Sequence, residues 1–346
     1  MTDVITLLVK ALLGTIFLAF AGVFLGLLYK GIDRKLVARL QSRIGPPVQQ
    51  PFYDVQKLLI KQNIVPQNAV EWLFHGAPIL SFASAIAILL YLPLFGQPAV
   101  LDGYGDIILV LYLLTLPSLG MILGGFASSS PYATVGSQRE MVMVMSYEFP
   151  LAIAVSTIAW RLSMMDGGLD VFSISTIAQN PLWNELGALG IIGFLMIFIT
   201  VMAVVPAKLV KIPFDAPEAE TEICGGLLVE YSGTNFALFY LADAVRTLAV
   251  GGLVIALFIP YGITDMVDLG VSMNFTLLGS EIEVFGAILD SLFFLVKLFV
   301  VVFVGVTVVR AATARLKIDQ VTGLYWGYLT FMALIGLGLV VIDYSL

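Results

Sequence analysis

Four carboxylates stand within eight residues in Asp215-Ala216-Pro217-Glu218-Ala219-Glu220-Thr221-Glu222, and a fifth, Glu230, follows shortly after. Acids this close repel one another, which raises the pKa of some of them wherever the group is partly buried. Such a cluster suits the uptake or passage of protons. The plainer alternative is a solvated acidic loop. Against it, Gly225-Gly226 followed by Leu227-Leu228 implies that the chain turns back into protein. Irregular backbone at membrane depth is tolerated only where protein encloses it or where it lines a wet cavity.

A charge at the centre of a membrane helix costs about 2.5–3.5 kcal/mol on insertion scales, so ionisable residues inside apolar stretches are functional suspects. Glu148 lies two turns from Glu140, Asp243 and Arg246 are spaced to pair locally, and Asp290 and Lys297 are seven apart and share a helical face. For each pair an ion bridge and an ion path stay equally open. The candidate path is therefore Asp215, Glu218, Glu220, Glu222, Glu230, Glu148, Glu140, Asp243, Asp290 and Lys297. A third group is basic: Arg34, Lys35, Arg39 and Arg43, then Asp54, Lys57 and Lys61. It reads either as an anchor obeying the positive-inside rule or as a docking platform for a soluble partner. Lys10, near the outer end of the first apolar stretch, can snorkel. His75 is too isolated for a metal site and is expected to hydrogen-bond at an interface, and Cys224 is expected to pack as a small residue. One Cys and one His supply no disulfide, zinc site or iron–sulfur cluster, so any redox centre belongs to another chain. No catalytic residue, bound cofactor or metal is assigned to this chain.

The elements that must position these groups are membrane helices. The chain is 60% hydrophobic and 12% charged with mean hydropathy +1.00, against about 45–50% and about 25% in soluble domains. Its net charge of -7 and lack of a basic, aromatic-interleaved stretch exclude nucleic acid as a partner. With about 20 apolar residues needed per crossing, eight spans fit: 4–29, 78–98, 107–127, 141–160, 187–207, 235–259, 284–309 and 324–343. The first is too long, and lacks the basic start and cleavage site, for a signal peptide. The chain reads as a single all-α integral membrane domain, multi-pass in the cell membrane.

Thirteen of the 17 basic residues fall in loops 30–77, 128–140, 208–234 and 310–323. The opposite loops carry only Arg161 against Asp102, Asp106, Asp166, Asp170, Glu185, Asp265, Asp268, Glu281 and Glu283. The positive-inside rule puts the basic loops in the cytoplasm and both termini outside. Residues 33–43 are expected to extend the first helix, with Arg39 and Arg43 one turn apart, until Gly45-Pro46-Pro47 ends it. A short helix is expected over 51–62.

Three segments resemble subunit 1, or H, of respiratory complex I and its homologues in energy-converting membrane-bound hydrogenases. They are Asp33-Arg34-Lys35 through Arg43-Ile44-Gly45-Pro46 with its continuation to Lys61; Phe214-Asp215-Ala216-Pro217-Glu218-Ala219-Glu220-Thr221-Glu222 with Glu230-Tyr231-Ser232-Gly233; and Arg315, Asp319-Gln320 and Trp326. Ser146-Tyr147-Glu148 is similar to the family's central helix. The resemblance implies a chamber near a partner's terminal iron–sulfur cluster. Arg39, Arg43, Asp215, Glu218, Glu220, Glu222 and Glu230 would line its mouth, and Glu148 and Asp243 would lead inward. After Gly45-Pro46 this chain runs through Pro47-Val48-Gln49-Gln50 almost directly to Pro51, and Gly136-Ser137-Gln138-Arg139-Glu140 looks more like the hydrogenase branch. Both departures weigh against a quinone pocket. The resemblance implies a coupling subunit of a membrane-bound hydrogenase or ferredoxin-dependent reductase, linking electron transfer to proton or sodium ion movement. Its partners would be iron–sulfur and hydrogenase-like large subunits, which carry the clusters and a possible NiFe centre, together with antiporter-like membrane subunits. The alternatives are a quinone-chamber subunit of an NADH:quinone oxidoreductase and a stand-alone secondary ion transporter. For the transporter, the expected pair of interrupted helices in two related halves is not found.

Overall fold

The computed structural model describes residues 2–165, 170–266, 274–277 and 280–346. Asp166 and Asp268, and the side chains of Asp265, Glu281 and Glu283, lie outside that description. The helices are α1 (Thr2–Leu40), α2 (Gln50–Ile60), α3 (Glu71–Leu89), α4 (Ile107–Ala127), α5 (Pro131–Ser163), α6 (Ile174–Gln179) and α7 (Ala188–Lys208). There follow α8 (Glu220–Ile223), α9 (Gly233–Phe258), α10 (Ile263–Met266), α11 (Val284–Val302), α12 (Val309–Ala312), α13 (Ile318–Thr322) and α14 (Thr330–Ser345). π-helical segments, Phe303–Val308 and Gly323–Leu329, join α11 to α12 and α13 to α14. Among the described residues eight helices are long and apolar enough to cross a membrane, the last two counted through their π segments. A short antiparallel hairpin, β1 (Asn274–Leu277) with β2 (Ser280–Glu283), is the one departure from an all-helical chain there.

α9 is the hub. Its apolar window is 89% buried, whereas that of α1 is 22% buried, so α1 lies at the rim. Small residues explain the close packing. Gly26 of α1 abuts the Ala244 carbonyl of α9 so tightly that any Cβ would collide with it.

Three boundaries correct the sequence reading, one of them the start of α5 at Pro131 rather than at 141. The third helix covers Glu71–Leu89, whereas hydropathy placed a span at 78–98. Pro78 is accommodated inside it, and beyond Leu90 the apolar run reverses through a bridge between Leu94 and Gln97 with Phe95 and Gly96 at positive φ. Hydropathy registers apolar content, while the turn is dictated by Pro93, Gly96 and Pro98. α1 stops at Leu40, short of the Gly-Pro-Pro. Ser42 takes φ 58 and the Arg43 amide reaches back to the Ala38 carbonyl at 2.7 Å. Arg43 therefore lies beyond the helix, and Arg39 and Arg43 do not share a helical face.

The acidic segment after α7 does return into the body. Phe214, Ala216, Pro217, Ala219, Ile223, Leu227 and Tyr231 are buried. Gly136 on α5 leaves room for the backbone at Pro217 and Gly226, and Gly125 on α4 leaves room for Leu227. Gly226 itself has φ +55 with the Pro217 carbonyl where a Cβ would stand, so both its conformation and its surroundings require glycine. Tyr231 stacks on Phe74 with ring centroids 4.1 Å apart and donates to the Phe74 carbonyl. This pins the end of the segment to α3.

Candidate ion path and docking face

A cavity of about 500 Å³ opens where the acidic segment, α1 and α9 meet. Its walls carry Asp215, Glu218, Glu220 and Asp243 opposite Lys30, Arg34, Lys211, Arg246, Arg310 and Arg315. Asp243 is the centre of a three-residue ion cluster. One carboxylate oxygen meets Lys30 Nζ at 2.7 Å and Lys211 Nζ at 2.8 Å. The expected local pair with Arg246 does not form. Arg246 turns to the Ser118 hydroxyl on α4 at 2.8 Å, because Lys30 and Lys211 already occupy the carboxylate. The Lys30 ammonium also sits 3.5 Å from the centroid of the Tyr240 ring.

The other acids are held differently. Asp215 accepts a two-pronged contact from Arg315, 2.8 Å from Nε and 2.6 Å from NH2, and raises the guanidinium's pKa by that bond. Glu222, exposed, pairs with Arg139 at 2.5 Å. Glu220 is exposed at the cavity rim, and Glu230 is half-buried outside it. Glu218 has no ion-pair partner among the described residues. Burial pushes its carboxyl up to about 7; Lys211 works against the rise, and Asp243 and Glu140 reinforce it.

Deeper in the body, Glu140 is fully buried. Neither of its carboxylate oxygens has a protein hydrogen-bond partner among the described residues, and the same holds for Tyr147 Oη and Arg246 Nε. Glu148, two turns along α5, meets the buried Lys208 of α7 at 2.6 Å. α5 begins at Pro131, ten residues before the span read from hydropathy, so Glu140 sits inside the helix.

Asp290 and Lys297 line a different cavity, of about 420 Å³, together with Thr264. Asp290 accepts from the Ile263 and Thr264 amides and the Thr264 hydroxyl, and Lys297 donates to the Ile259 and Tyr261 carbonyls. The pair thus fastens the break between α9 and α10, which gives each a structural task apart from the acidic cluster.

In the basic segment that is the candidate docking face, Arg34 joins α1 to α2 through Asp54 at 2.9 Å. Partial burial raises the Asp54 pKa, but hydrogen bonds from Gln50 and Arg34 outweigh it and hold the carboxyl below its usual range. Lys35, Arg39, Arg43 and Lys57 are exposed, and so, in the same stretch of chain, are Ile44 (94%) and Ile60 (87%). His75 Nδ1 lies 2.9 Å from Asn235 Nδ2, an interhelical contact. Cys224 is exposed at a left-handed position rather than packed, because the turn into Gly225 aims it outward.

Sequence reasoning missed Lys30, Lys211, Arg139 and Lys208 as partners of the acids. The only signal was their place in basic loops, which says nothing about which acid each meets.

The eight long apolar helices are those of a multi-pass membrane protein. The profile for NADH dehydrogenase matches residues 12–341. The H subunit of the NADH-quinone oxidoreductase of Brevibacillus brevis is 33% identical over 321 residues, covering 90% of this chain and 87% of that protein. The structure of the membrane-bound sulfane sulfur reductase, an archaeal respiratory membrane complex, includes a chain 28% identical with TM-score 0.77, covering 97% of this chain and 99% of that one. This chain belongs to the NADH dehydrogenase subunit 1 family, the membrane-embedded subunit of complex I-related complexes.

Proposed function

We propose that this subunit couples electron transfer in neighbouring iron–sulfur subunits to movement of protons or sodium ions, in a complex of the membrane-bound hydrogenase or ferredoxin-dependent reductase type. The observation that carries the reading is Glu218, a carboxyl poised near 7 beside an aspartate gripped by two lysines. For a carboxyl so placed, a unit negative charge brought to a distance of about 10 Å would, at an effective dielectric of about 20, change its electrostatic energy by about 1.7 kcal/mol. That is roughly one pKa unit, enough to move the group from half to mostly protonated near neutral pH. A proton taken up at Glu218 perturbs the Lys211–Asp243–Lys30 cluster, and Arg246 stands between that cavity and Glu140. Buried polar atoms without protein partners are normally satisfied by ordered water, which supports a hydrated continuation at Glu140 and Tyr147.

The basic face of Lys35, Arg39, Arg43 and Lys57 then lies in the cytoplasm, receives the redox partner, and leaves both termini on the opposite side. Antiporter-like subunits would take up the ion path laterally. A second reading, the quinone-chamber subunit, is favoured by the quinone-linked relative from Brevibacillus. Against it stand ten Asp, Glu, Lys and Arg side chains around the cavity, a poor wall for a lipid-soluble head group. Purification of the complex in mild detergent tests the proposal. Co-purifying iron–sulfur subunits with electron-driven ion uptake and no quinone reduction support it. A chain that purifies alone, or quinone reduction without another acceptor, overturns it.

A further inference from the structure

On the side of the N-terminus a slot of about 520 Å³ lies between α1, the α3–α4 connection and α11. Two contacts bracket it: Gly14 against Val100 and, two turns further along α1, Gly22 against Leu89. Between them Phe17, Leu18 and Ala21 face Leu94 and Phe95. The lining is apolar but for Gln97 and Ser291, and the Ser291 hydroxyl is already satisfied by the Phe95 and Ala287 carbonyls. Lys10 continues the same helical stripe, four residues beyond Gly14, exposed and without an ion pair among the described residues. Asp102 is exposed two residues past Val100, which meets Gly14 at the same rim.

We infer that the slot holds one acyl chain of a phospholipid, with the phosphate on Lys10 and an amine-bearing headgroup toward Asp102. The bracketed stretch is eight residues of α1, about 12 Å, along which one hydrocarbon chain can lie. The opposite charges of Lys10 and Asp102 beside it match a zwitterionic phospholipid headgroup rather than the apolar face of a neighbouring helix. The apolar walls recognise the chain, Lys10 supplies the counter-charge, and Asp102 disfavours a headgroup of net negative charge.

The test is native mass spectrometry of the purified complex after delipidation, followed by back-titration with phosphatidylethanolamine or phosphatidylglycerol. One phosphatidylethanolamine per copy of this chain is expected to be retained. Ala21→Trp, which fills the slot, should abolish retention. Lys10→Gln, an exposed change that leaves the packing untouched, should weaken binding about five-fold, the worth of one exposed ion pair of about 1 kcal/mol. Equal retention in wild type and Ala21→Trp, unchanged affinity in Lys10→Gln, or a phosphate-free lipid or partner polypeptide in the slot would overturn the inference. None of these outcomes bears on the ion path, whose residues lie around a separate cavity.

Discussion

Replacing Glu218 by Gln removes a carboxyl in the cavity poised to titrate near neutral pH. The rise from 4.5 to about 7 corresponds to about 3 kcal/mol against the ionised form, and because the side chain opens into the cavity a realised effect of about 1–2 kcal/mol is expected. The sign follows from the direction. A carboxyl whose folded pKa is raised contributes stability that is complete below about 4.5 and lost as the pH climbs through about 7. Gln cannot ionise, so the variant should match wild type near pH 5 and exceed it in thermal stability at pH 8. In proteoliposomes, electron-driven ion uptake by wild type should show an inflection near pH 7 that Glu218→Gln lacks. The assay pairs thermal unfolding of the complex with uptake rates between pH 5.5 and 8.5. A variant that keeps both the wild-type pH profile and the wild-type stability difference would refute the reasoning.

Asp243→Asn leaves two ammonium groups at most about 5.5 Å apart, a repulsion of about 3 kcal/mol at an effective dielectric of about 20. The complex should melt earlier, and adding Lys211→Met should restore part of the loss, as differential scanning fluorimetry would show. Gly226→Ala should unseat the acidic segment, since its φ of +55 and the adjacent Pro217 carbonyl leave no space for a methyl; limited proteolysis around 219–225 measures it. Glu148→Gln and Glu222→Gln should uncouple or abolish turnover while the complex still assembles, Glu222 losing only an exposed pair worth about 1 kcal/mol or less. Size-exclusion profiles with activity separate those two effects. Asp290→Asn should lower stability through the α10 contacts yet leave the pH profile of ion uptake unchanged.

The eight spans and the re-entrant acidic segment were legible in the sequence because they rest on local properties, runs of apolar residues and Gly-Gly beside Leu-Leu. The third span was misplaced because apolar content does not distinguish a helix from the Phe95-Gly96 turn that follows it. That Asp215, Glu218, Glu220 and Asp243 deserve notice was legible too, since a carboxylate in or beside an apolar stretch stands out by type, and the structure brings these four around one cavity. Their partners were not. Asp243 and Arg246 have ideal spacing for a local pair, but Lys30 and Lys211 arrive from elements 32 or more residues away and take the carboxylate first. Gly26, which lets α1 approach α9 closely enough for Lys30 to reach, is meaningful only once the two helices are known to touch. Asp290 and Lys297 show the converse: a shared face was read correctly as proximity, yet the pair caps backbone ends, a demand set by where α9 breaks.

The most direct measurement is the number of ions moved per electron by the reconstituted complex carrying Glu140→Gln, whose carboxyl lies buried beyond Arg246 and outside any partner's reach. If redox change at the cytoplasmic face is transmitted through this chain's interior, that ratio should fall toward zero while the partner's clusters still accept electrons. An unaltered ratio in a fully assembled variant would contradict it.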